Sequence, residues 1–257
     1  MHRTRFDFST SDIHRDYDAG RSLDPEARAV WIDDLRSSVD RPDLDLVLDL
    51  GCGTGRFTFL IRETFSSAVV LGADPAQGML GEARGVASRG GVRLIRAEAE
   101  SLPFADRTFP LVVLSMVYHH LPRPTAALRE VARILRLAGL IYLRTPTLES
   151  MRSSPWDAFF PSARAISAAT LPARAQVLSH ASDSGVTLEA QRSVRFVLAR
   201  TPQELVDKIA RRAMSSLRQI PESEFGAGLS ALQASCRALP PSEPIFEELE
   251  VFVLRRP

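Results

Sequence analysis

The chain reads as an α/β protein built on a parallel sheet with helices on both faces. Three observations predict it. Five short apolar segments between residues 47 and 144 alternate with segments of helical period. The first of them runs straight into a loop with glycines at alternate positions, Gly51, Gly53 and Gly55. Four polar residues, Asp49, Asp74, Glu98 and Ser115, fall one each at the ends of the first four strands. Strands separated by helices pair in parallel and are covered on both faces. Ligands of such sheets sit beyond the carboxyl ends of the strands.

Residues 24–39 have amphipathic helical spacing, opened by Pro25 at a first helical position. The first strand then ends at Asp49-Leu50-Gly51-Cys52-Gly53-Thr54-Gly55. A dinucleotide fingerprint needs a third glycine where Arg56 stands, and no Lys-Ser/Thr pair follows to make a P-loop. Cys52 reads as a small residue filling space between glycines, with a nucleophile as the sharper alternative. The second strand, 69–73, ends on Asp74, 19 residues after Gly55. An acid there is placed to bind a ribose diol. It is equally placed to cap the next helix through Gln77 and Met79, with Pro75 in its first turn. A third strand, 92–96, leads into Glu98 and Ala99, and a fourth, 111–117, into Tyr118-His119-His120. Pro124 opens a helix over 125–135, and the fifth strand is 140–144. Beyond it, Pro and Ser thicken over 155–172, which reads as loop carrying Trp156, Phe159 and Phe160. A helix over 173–184, β structure over 186–198, helices over 202–217 and 221–239 and an alternating strand over 248–254 complete the chain. Arg211-Arg212 reads as a solvated helix face.

Composition removes several classes. The 257 residues carry a net charge of +1, so nothing pulls the chain as a whole toward nucleic acid or membrane. No apolar run is long enough to span a bilayer, and the N-terminus has no apolar stretch of the signal-peptide kind. Two cysteines make no disulfide framework, so a reduced, cytoplasmic protein is expected. Adjacent histidines give poor metal-ligand spacing, so no metal site is expected.

The runs Leu48–Gly55, Gly72-Ala73-Asp74-Pro75 with Met79-Leu80, Ala97–Phe104 and Tyr118–Leu121 resemble those of class I S-adenosylmethionine-dependent methyltransferases, in the small-molecule and quinone-biosynthesis branch. The resemblance covers residues 44–147. It implies a Rossmann-like, mostly parallel seven-stranded sheet whose last strand is antiparallel, under a helical cap. One methyltransferase domain would fill 1–257: an N-terminal helical lid over 1–43, the cofactor core over 44–147, and cap helices with the final strands over 148–257. Gly51, Gly53 and Gly55 would lie under the methionine and ribose of S-adenosyl-L-methionine, with Cys52 in the same loop. Asp49 would orient that loop and help hold the cofactor ammonium. Asp74 would take the ribose hydroxyls, with Pro75 and Met79 beside it. Glu98 would accept from the adenine amino group, the Ala99 N–H would reach the ring, and Ser115 would offer its carbonyl. Tyr17 and Arg21 would fold over the cofactor, Arg21 meeting its carboxylate. Pro110 and Leu137-Ala138-Gly139 depart from the usual loop residues.

Methyl transfer to an O, C or N atom of a small molecule, a secondary metabolite or quinone-like compound, follows from the resemblance, leaving S-adenosyl-L-homocysteine. His119 and His120 follow the fourth strand, where a base for the acceptor belongs. Neighbours on an extended chain point oppositely, so one of the two, His119, is expected to face the site, with Tyr118 positioning the acceptor. Trp156, Phe159 and Phe160 would wall its pocket. The chain lacks the Asn-Pro-Pro-Tyr of enzymes that methylate adenine amino groups. A monomer or homodimer is expected. The reading of a different kind is a catalytically inactive subunit that only binds the cofactor.

Overall fold

The structure, a computed structural model, describes residues 20–39, 44–87 and 92–257. Helix α1 (Pro25–Ser38) starts where Asp24 accepts from the Ala27 N–H, a side-chain cap followed by proline. The sheet core follows as β1 (Leu46–Leu50), α2 (Arg56–Thr64), β2 (Val69–Asp74), α3 (Gln77–Ala87), β3 (Val92–Arg96), β4 (Phe109–Ser115), α4 (Pro124–Ile134) and β5 (Leu135–Thr145). Then come α5 (Pro161–Thr170), α6 (Arg174–Ser182), β6 (Thr187–Ala199), α7 (Pro202–Ala210), α8 (Glu222–Arg237) and β7 (Ile245–Arg255). The seven strands lie in the order β3-β2-β1-β4-β5-β7-β6. β1 to β5 pair in parallel, and β7 runs antiparallel between β5 and β6.

Alternation along each strand sorts the core into two layers. Leu48, Val112, Ile141 and Phe252 pack under α4 and α6, while Val47, Val113, Tyr142 and Val251 pack under α1 and α2. A third cluster, with Phe160, Leu205, Ile209, Phe225 and Leu232, joins α5, α7 and α8 into a cap.

The proline-rich stretch contains α5, a helical piece of the expected cap, with Pro161 at its first helical position. Four expectations change. The helix expected over 202–217 stops at Ala210, and Arg212 takes a left-handed φ of 49°. Its guanidinium lies 3.7 Å over the Phe225 ring and pairs with Glu222, so Arg212 turns into the cap, while Arg211 stays exposed as the solvated-face reading expects. β4 begins at Phe109 and ends at Ser115, because Met116 turns left-handed at φ 61°. β5 begins at Leu135, its first residues set off from the rest by a register shift opposite Pro110.

Candidate active site

A cavity of about 330 Å³ opens at the C-terminal edge of β1 to β4. That size suits a small molecule. Its floor is the glycine loop. Gly51 has φ 74°, and a Cβ there would lie 2.2 Å from Val117 Cγ2, so the chain's own packing demands glycine. Gly53 differs. Its φ is 55°, it lines the cavity, and a Cβ would meet nothing within 4 Å. Gly55 stands outside the cavity lining, at the N-terminus of α2.

Asp74 performs two tasks at the tip of β2. Oδ2 accepts from the Gly53 N–H at 2.9 Å and Oδ1 from the Ala76 N–H at 2.8 Å. Its carboxylate thus sets the glycine loop and opens the turn into α3, not through Gln77 or Met79 as expected. It still lines the cavity, and each oxygen keeps a free lone pair. Burial raises its pKa, and those two N–H donors work against the rise. Pro75, Met79, Glu98 and Ala99 line the same cavity. So do Met116 and Val117, which no sequence signal singled out.

Asp49 lies behind this wall, 1% exposed and outside the lining. Its Oδ2 accepts from Thr58 Oγ1 at 2.5 Å, which ties β1 to α2. Desolvation lifts its pKa to about 7, against the Thr58 hydrogen bond and with the nearby Asp74 charge adding to the rise. Asp49 stands behind the glycine loop it was expected to orient, outside the residues that line the cavity. Cys52 fits the space-filling reading. It is buried, outside the lining, and packs where a Gly72 Cβ would lie 2.9 Å from its sulfur. Burial raises its thiol pKa, which removes the nucleophile alternative. Ser115 is outside the lining too, and its Oγ accepts from Arg144 Nη1 at 3.0 Å.

After β4 the chain forms a 3₁₀ turn, Tyr118–His120, where an extended segment was expected. Strand alternation therefore does not apply. His119 and His120 both line a second cavity, beneath the cap, with ring centroids 4.0 Å apart. His119 Nδ1 is 3.2 Å from Thr145 Oγ1 at the end of β5. His120 and Met116 line both cavities and mark where they meet. Tyr118 does not join them. It is 1% exposed in the layer under α6, and its hydroxyl shares a 2.7 Å hydrogen bond with His180 Nδ1. Burial raises its pKa. The Tyr118→Phe variant should lose about 1 kcal/mol of stability in chemical denaturation and leave ligand affinity at the first cavity unchanged. A change in affinity instead would place Tyr118 in the site.

Of the three aromatics expected to wall an acceptor pocket, one reaches the cap cavity. Trp156 lines it. Phe160 is fully buried against Phe225, ring centroids 5.7 Å apart, and Phe159 packs on the same cluster. Both are cap core because the 3₁₀ turn Asp157–Phe159 carries them past the cavity. Arg21 lines the cap cavity, and Tyr17 lies outside the described residues.

Two charged residues escaped the sequence reading. Arg144 is 4% exposed, its guanidinium 3.9 Å over the Trp31 ring, and burial pushes its pKa down to about 9. Glu247 on β7 lines the cap cavity, its pKa raised by burial against the pull of Arg21 and Arg144. Their partners lie on strands and loops far apart in sequence, so no local pattern marks them. Among the described residues no group of three or more His, Cys, Asp or Glu could hold a metal, and no helix is long and apolar enough to cross a membrane.

Comparison with known proteins agrees with this geometry. The family described as "Methyltransferase domain" matches residues 48–143. A protein of Encephalitozoon cuniculi bearing a methyltransferase name is 33% identical over 158 residues, 56% of this chain and 68% of that one. A demethylmenaquinone methyltransferase of Thermobifida fusca is 36% identical over 118 residues, 44% of this chain. The chain spans only 48% of that relative's length. In fold it is similar to a crystal structure of a methyltransferase assigned to an antibiotic biosynthesis pathway in Anabaena variabilis. The TM-score is 0.68 at 17% identity, covering 88% of this chain and 99% of that one. With strand order, glycine floor and acidic strand ends all in place, the chain belongs to the class I S-adenosylmethionine-dependent methyltransferases.

Proposed function

We propose that the chain binds S-adenosylmethionine along the ends of β1 to β4 and transfers its methyl group to a small molecule held under the cap. One observation carries this: the cavity over Gly53, Asp74 and Glu98 meets the cap cavity at Met116 and His120. The donor set fits the cofactor. The bare Gly53 backbone admits close approach, Asp74 has lone pairs to spare for a ribose diol, and Glu98 and Ala99 suit the amino and ring edges of adenine. Pro75 and Met79 supply apolar contact for the ring, and Ser115 its carbonyl for the methionine end. Arg21, on the wall of the cap cavity, suits the methionine carboxylate.

The bound cofactor would supply an activated methyl on a sulfonium. The protein then aligns an acceptor with it and excludes water. His120, at the junction, takes the acceptor proton, with the His119 ring beside it and held near Thr145. A quinone-like acceptor would follow the Thermobifida fusca relative, but the family match ends at residue 143, before the cap.

Calorimetry with S-adenosylhomocysteine tests the reading. Wild type should bind it, and Asp74→Ala should weaken binding by roughly 1–3 kcal/mol through lost charge-assisted hydrogen bonds. No heat with wild type would end the proposal. Equal affinity in the variant would leave Asp74 a structural residue only.

A further inference from the structure

The acceptor's chemistry is readable in the cap cavity, given the methyltransferase reading above. Trp156, Asp157 and Glu247 line it, as do His119 and His120, and His120 lines the first cavity as well. Asp157 is 2% exposed. Its Oδ1 accepts from Arg164 Nη1 at 2.7 Å, and its Oδ2 is buried with no hydrogen-bond partner. Arg164 itself is 42% exposed, so it neutralises Asp157 from the solvent side. Burial of an ionised oxygen without a donor is expensive.

Glu247 is the second carboxylate. It lines the same cavity as Asp157, whose charge adds to the rise in the Glu247 pKa, with the Trp156 indole beside it. The cations facing it are Arg21 and Arg144. Arg144 is already engaged by the Trp31 ring and Ser115. Among the described residues Arg21 is the one guanidinium lining the cavity, and the cofactor carboxylate would claim it. Glu248, the next residue, also lines the cavity, and its carboxylate accepts from Ser193 Oγ at 3.2 Å. A buried carboxylate and a half-buried one beside an indole make a site for a cation: charge-assisted hydrogen bonds on one side, an aromatic wall on the other. The same carboxylates repel an acid or a phenolate.

We propose that the acceptor of this enzyme carries a protonated amine, held by Asp157 Oδ2 and the Glu247 carboxylate against Trp156, which sets the rest of the acceptor toward His119 and His120. Three probes of similar size test it by calorimetry: phenethylamine, 2-phenylethanol and hydroquinone. Each is titrated into the full chain with and without saturating S-adenosylhomocysteine. Phenethylamine should bind at least tenfold tighter than either neutral probe, and Glu247→Gln should erase most of that preference. Asp157→Asn should reduce it as well. Equal binding of amine and alcohol, tighter binding of hydroquinone, no binding of the amine, or a preference that survives both substitutions would each overturn the proposal. Because wild type alone gives the preference, a variant that fails to fold does not shield the idea. Absence of S-adenosylhomocysteine binding would instead count against the cofactor reading, and the amine arm is still read on the protein without it.

Discussion

Gly53→Val abolishes cofactor binding while the protein stays folded. The glycine has φ 55°, a region where a β-branched residue is strained by about 1–2 kcal/mol. Among the described residues nothing beyond its chain neighbours lies within 4 Å of a Cβ there, so no packing is lost. The Gly53 N–H keeps its acceptor on Asp74, because the substitution leaves the backbone donor in place. A branched side chain would therefore enter the one volume open to it, the floor of the 330 Å³ cavity. Calorimetry with S-adenosylhomocysteine should show no heat, while the melting temperature falls by only a few degrees. Gly51→Val should behave differently, since its Cβ would strike Val117 and unsettle the fold. If Gly53→Val binds within a few-fold of wild type, the cofactor does not lie on this loop.

That contrast between two glycines of one loop also shows where sequence reading stops. The G-x-G-x-G spacing, the strand-end acids and the helix-opening prolines are local signals, and they located β1 to β5 and the first cavity. They could not tell that Gly51 serves Val117, a residue brought up by the left-handed turn at Met116. The same turn starts the 3₁₀ segment that puts both histidines in the site and buries Tyr118 against His180. An extended continuation of β4, the reasonable reading of an apolar run, gives the opposite sorting. In the cap, Phe159 and Phe160 have the composition of a pocket wall and the position of a core. Tertiary packing on Phe225 decided that, and Glu247 with Arg144 became visible only when β7 was placed beside β5.

Asp49→Asn should stabilise the folded chain by several kcal/mol at pH 8 and by far less at pH 5. Its carboxyl, ordinarily ionising near 3.8, ionises at about 7 in the fold because it is desolvated. Between those values the folded state holds a proton the unfolded chain has lost. Stability therefore falls as pH rises through that window, by about 1.4 kcal/mol per unit, and the penalty is complete above pH 7. Asparagine cannot ionise, yet its Oδ1 still accepts from Thr58, so the link from β1 to α2 survives. Chemical denaturation at both pH values checks this, and an equal gain at each would refute the buried-charge account. A carboxylate that costs the fold this much needs another reason to be there. The proposed ligand brings an ammonium and a sulfonium to the far side of the glycine loop, and a cation there draws the Asp49 pKa back down. Binding near pH 7 should then release protons, seen as heats that change with the ionisation enthalpy of the buffer. Asp49→Asn should abolish that dependence and bind more weakly, trading affinity for the stability it gains.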